Sequence, residues 1–82
     1  MDHNQEHDNV NNPSHYTFGN IEVIDILRDK LTPEQLEGFL LGNVLKYAFR
    51  YRHKNGAEDL RKCGVYLGWL TEHVASLEEQ NE

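Results

Sequence analysis

Thr32-Pro-Glu-Gln-Leu-Glu-Gly-Phe-Leu-Leu-Gly-Asn-Val-Leu-Lys-Tyr-Ala-Phe-Arg50 decides the fold. Thr32 is a helix cap, Pro33 suits the first helical position, and Gln35 can reach back to the cap's own amide. A helix is therefore predicted from Pro33 to around His53, where Asn55-Gly56 ends it as a turn. At 100° per residue, Asn43, Lys46, Tyr47, Arg50 and Lys54 fall on one polar stripe of it. Leu36, Leu40, Leu41, Val44, Leu45, Ala48, Phe49 and Tyr51 make the remainder of its middle turns apolar or aromatic. Such a helix is normally covered on more than one side, so a homo-oligomer with this helix at its centre is expected. Gly38 and Gly42, spaced as G-x-x-x-G, read as positions of close packing.

Two further helices flank it. Asn20 is the expected cap of a helix from Ile21 to about Leu31, with Ile21, Val23, Ile24, Leu27 and Leu31 on one broad face. A third runs from about Ala57 to Glu79. Its Leu60, Cys63, Leu67, Leu70, Val74 and Leu77 recur at alternating three- and four-residue spacing, a packing seam. Asp59, Lys62 and Tyr66 form a stripe beside it. No strand pattern is visible, and the expectation is an all-α bundle of about three helices. Residues 1–12, nearly without apolar side chains, read as a flexible tail; residues 13–82 read as a single helical domain.

The 82 residues carry a net charge of −6, distributed unevenly. Between Lys46 and Lys62 stand six basic residues (Lys46, Arg50, Arg52, Lys54, Arg61, Lys62) against Glu58 and Asp59, a net of +4; the remaining two basic and twelve acidic residues give −10. A cationic site on an acidic chain suits a small anionic ligand better than a long nucleic acid. A phosphorylated small molecule is the expected ligand. Lys46, Arg50 and Lys54 would clamp its phosphates, and Tyr47 or Tyr66 would stack on a base or cap a sugar. The alternative is that these cations pair with Glu22, Asp25 or Asp59 across helix contacts. Glu22 and Asp25 are also the candidates for a magnesium ion accompanying phosphates, although acids early in a helix serve its dipole equally.

Other chemistries find less support. Neither a Walker A loop nor G-x-G-x-x-G is present, and Glu34 and Glu37 supply only one of the two acidic pairs a helical pyrophosphohydrolase would use. Cys63 is the single cysteine, and His3, His7, His15, His53 and His73 lack zinc-ligand spacing. No apolar run approaches the roughly 20 residues of a membrane span, and no secretory core is seen, which points to the cytoplasm.

Val10-Asn-Asn-Pro-Ser-His-Tyr16, Gly19-Asn-Ile-Glu-Val-Ile-Asp25, Gly42-Asn-Val-Leu-Lys-Tyr47 with Arg50, Lys54-Asn-Gly-Ala-Glu-Asp-Leu-Arg-Lys62 and Tyr66-Leu67 occur in this order. The series resembles a phage family, the domain of unknown function numbered 3310, whose members are often labelled nucleotide kinase-like. It spans Val10 to Leu70; Asn12 stands where the family usually has His. The resemblance implies a helical, nucleotide-handling phage protein in the cytoplasm of an infected bacterium, with a non-Walker nucleotide kinase as its enzymatic form. The alternative is a non-catalytic protein that sequesters a nucleotide signal or binds a host defence or regulatory protein. Ligand-site candidates carried over are His15, Tyr16, Asn43, Lys46, Tyr47, Arg50, Lys54, Asp59, Lys62 and Tyr66, with Glu22 and Asp25 toward magnesium.

Overall fold

The structure, a computed structural model, describes residues 17–18 and 21–80. Two short strands, β1 (Thr17–Phe18) and β2 (Ile21–Glu22), pair antiparallel with Thr17 opposite Glu22 and Phe18 opposite Ile21. Three helices follow: α1 (Val23–Lys30), α2 (Pro33–Arg50) and α3 (Ala57–Gln80). The described residues are all-α apart from this four-residue ladder.

The ladder corrects the sequence expectation at the start of α1. Ile21 and Glu22 are spent on strand pairing, so the helix begins at Val23 with Glu22 as an extended cap that makes no side-chain capping bond. Asn20, the expected cap, lies outside the described residues, as do the proposed tail and the ligand candidates His15 and Tyr16. The start of α2 is as expected. Gln35 N donates to Thr32 Oγ1 at 3.1 Å, Thr32 N donates to Gln35 Oε1 at 3.0 Å, and Pro33 follows the cap. Such a cap is worth about 1 kcal/mol. Beyond Arg50 the chain tightens into a 3₁₀ turn, Tyr51–His53, and Gly56 takes φ 60° while its amide reaches Tyr51 O at 2.9 Å. Glycine adopts that left-handed backbone without strain, and it turns the chain back into α3.

The α2–α3 hairpin carries most of the tertiary packing. Ile24, Leu36, Leu40, Tyr47 and Tyr66 are the buried core, with Leu27, Leu31, Phe39, Val44, Cys63, Trp69 and Leu70 packed around them. An aromatic cluster runs through it: Tyr66 stacks on Tyr47 at 5.8 Å and meets Phe39 and Trp69 edge-on at 6.2 and 5.3 Å. Each such pair adds about 0.5–1.5 kcal/mol to the gain from burial.

Both long helices are rotated about their axes relative to the sequence expectation. On α3 the buried positions are Asp59 and Tyr66, while Leu60 and Leu67 of the expected seam stay half exposed. On α2, Asn43 and Tyr47 of the expected polar stripe turn inward, leaving Leu41, Leu45 and Phe49 to solvent. The reason is chemical: an aromatic stack and a buried ion pair hold the hairpin together, and a hydrophobicity pattern registers neither. Gly38 and Gly42 do not mark close packing within the chain either, since a Cβ at each would meet nothing within 4 Å.

Candidate functional site

The site is built on Tyr47, about four turns into α2 and only 3% exposed. Lys46 Nζ lies 4.5 Å from its ring centroid, Arg50 Cζ 4.7 Å and Lys62 Nζ, from α3, 5.8 Å. Helical spacing puts Lys46 and Arg50 four residues apart, hence one above the other, and the antiparallel course of α3 brings Lys62 alongside. Three cations thus converge on one buried ring, whose π-face attracts them.

Asp59 fixes the geometry of this cluster. Its carboxylate is fully buried and accepts four hydrogen bonds: Arg50 Nε and Nη2 at 3.2 Å each, the Asn55 amide at 3.1 Å and Asn55 Nδ2 at 3.3 Å. The bond from Arg50 holds the Asp59 carboxyl below its ordinary range against the opposing effect of desolvation, with the Asn55 bonds adding to the lowering. The same bond holds the Arg50 guanidinium above its ordinary value. A guanidinium has five N–H groups in a planar fork, so two given to Asp59 leave three for another partner. The Arg50 side chain is 33% exposed, and its orientation is set in advance.

The other candidates divide clearly. Lys62 is nearly covered and pairs with Glu58 at 3.3 Å. Tyr66 lies beneath Tyr47 in the core, and Asn43 is buried with its Nδ2 donating to Phe39 O at 3.0 Å; both support the ring rather than line an open surface. Lys54 is exposed on the connection between α2 and α3. Glu22 and Asp25 stand at the start of α1, and Asp25 lies 3.6 Å from Arg28. Among the described residues no group of three or more His, Cys, Asp or Glu side chains is arranged to hold a metal ion. The expected pairing of the cationic stripe with Asp59 is present at Arg50. Asn55, which completes the Asp59 cradle, was visible in the sequence only as half of a turn signal.

Away from this cluster, a concavity of about 440 Å³ lies between the end of α1, the start of α2 and the outer half of α3, lined by Arg28, Leu31, Leu36, Trp69 and His73 among others. His73 Nε2 is 2.9 Å from Pro33 O at its wall. No described helix is long and apolar enough to cross a membrane.

These features define a small all-α protein whose charged site is a cation cluster on a stacked tyrosine pair. The chain belongs to the family described as protein of unknown function (DUF3310), whose profile matches residues 10–68. It is 35% identical over 69 residues to the gene 1.7 protein of Enterobacteria phage T3 and 36% identical over 69 residues to the nucleotide kinase gp1.7 of Escherichia phage T7. Each match covers 78% of this chain but only 42% and 35% of those relatives, so the chain spans less than half of their length. No solved structure matches it.

Proposed function

We propose that this chain binds a phosphorylated nucleotide at the Tyr47 cluster. The observation that carries the proposal is the convergence of Lys46, Arg50 and Lys62 on one buried ring, with Arg50 oriented by Asp59 and its remaining N–H groups unspent on that carboxylate. A preoriented guanidinium meets phosphate oxygens through two parallel hydrogen bonds, and ammonium groups on either side add charge without demanding a fixed geometry. Lys54, on the adjoining connection, and His15 and Tyr16 complete the proposed ligand set. The name of the T7 relative, nucleotide kinase, agrees with a ligand of this class.

Phosphoryl transfer is the enzymatic form of this proposal. It needs a donor, an aligned acceptor and stabilisation of charge on the transferring group, of which Lys46 and Arg50 would supply the last. A magnesium ion carried in with the phosphates would have Glu22 and Asp25 as its carboxylates, the phosphates and water supplying the other ligands. The same site without turnover would hold a nucleotide signal rather than convert it.

Thermal unfolding with nucleosides and with nucleoside mono-, di- and triphosphates tests the binding. Phosphorylated ligands at 100 times their dissociation constant are expected to stabilise by about 2.7 kcal/mol, while the bare nucleosides have no effect. Equal responses to nucleoside and nucleotide, or a nucleotide response that Lys46→Ala leaves undiminished, would overturn the proposal. Incubation with a radiolabelled triphosphate donor and monophosphate acceptors then separates a kinase from a sequestering protein.

A further inference from the structure

Leu41, Leu45 and Phe49 lie on α2 within an arc of roughly 80°, on the side turned away from the buried Tyr47 and Leu40. Phe49 is 81% exposed, and the two leucines are 43% and 46% exposed. On α3, Leu60 and Leu67, at 46% and 49%, stand one turn to either side of Cys63, whose thiol donates to Val44 O at 3.4 Å. They therefore border the same surface of the hairpin. Taking ~200 Å² for an aromatic side chain, Phe49 alone presents roughly 160 Å² to water. With the four leucines the apolar patch is on the order of 500 Å², at the upper end of what a monomer leaves exposed.

Gly38 and Gly42 stand beside this patch. A Cβ at either would meet nothing within the chain, so these helix-weakening residues gain no packing there. A second backbone approaching α2 would use the space they leave.

The order of residues along α2 says which backbone that is. An antiparallel copy of α2, related by a two-fold axis midway between Leu41 and Leu45, sets Leu41 of one copy against Leu45 of the other. Phe49 of each copy then falls over the Glu37–Gly38 surface of the other, where the missing side chain of Gly38 leaves room. Glu34, in the first turn of α2, and Arg52, in the 3₁₀ turn that follows it, are both exposed and equally far in sequence from that midpoint, so they come near each other at the two ends. An acid at one end of an apolar face and a base at the other make that face self-complementary, which suits a two-fold interface. The patch alone supplies roughly 500 Å² of the ~800 Å² per partner of a standard interface.

We infer that this chain forms a two-fold dimer through the Leu41–Leu45–Phe49 face of α2, flanked by Leu60 and Leu67, with the Tyr47 cluster left outside the interface. Sedimentation velocity on the whole chain, up to about 100 micromolar, tests it. Wild type is expected at twice the chain mass, and Leu45→Asp at the monomer mass with its helical circular dichroism retained. Glu34→Arg is expected to weaken association about tenfold, and Glu34→Arg with Arg52→Glu to restore it. A wild-type monomer throughout the range would overturn the inference, as would a dimer insensitive to Leu45→Asp. Should that variant fail to fold, the charge pair decides: no weakening in the single reversal, or no recovery in the double, overturns it.

Discussion

Arg50 and Asp59 show how one residue can serve two ends. Arg50→Ala strands a carboxylate that is fully buried, so the free protein should lose stability whether or not the arginine also meets a ligand. Lys46 separates the two roles. It is exposed and holds only a ring contact in the described structure, so Lys46→Ala should weaken nucleotide binding about tenfold while moving the urea midpoint little. Calorimetric titration beside urea unfolding reads both. Asp59 also predicts a pH dependence. Because its folded carboxyl titrates below the ordinary value of about 3.9, its contribution is complete above that pH and is lost as pH falls through the lower folded value. Urea unfolding from neutral to acid pH should show that loss, and Asp59→Asn should begin less stable and respond less to acid.

At the scale of elements, the boundaries set by local chemistry were legible and the orientations were not. Thr32, Pro33 and Gln35 announce the start of α2 because a capping box needs only residues within one turn of each other. Thr32→Ala should accordingly cost about 1 kcal/mol, measured by chemical denaturation. Gly56 likewise marks its turn by itself. The β1–β2 ladder escaped because two-residue strands are too short for alternation to register, even with Gly19-Asn20 as a two-residue connection between them. The rotation of α2 and α3 escaped for a different reason. Whether Asp59 or Leu60 faces inward depends on Arg50 waiting across the hairpin, and no periodicity within α3 carries that information. The site shared this fate: its cations were visible as charge, but their gathering on Tyr47 depends on the packing of Tyr47 against Tyr66. Gly68 offers a test of an unused position. It sits exposed within α3 with open space where a Cβ would go, so Gly68→Ala should stabilise by about 0.5–1 kcal/mol in thermal melts.

The whole molecule rests on a core of few side chains. Leu40, 1% exposed, belongs to that core. Leu40→Ala should cost about 2–5 kcal/mol, a large share of the roughly 5–15 kcal/mol that holds a small domain together. The Asp59 cradle has a further consequence in time. Its donors, Arg50 and Asn55, stand just before and just inside the turn that reverses the chain, so the bonds that orient Arg50 close only a short loop. Short loops form early and at small entropic cost. The hairpin should therefore nucleate at this turn and close toward the far ends of α2 and α3. In stopped-flow kinetics, Asp59→Asn should slow refolding, whereas truncating Leu36 at the distant end should chiefly speed unfolding.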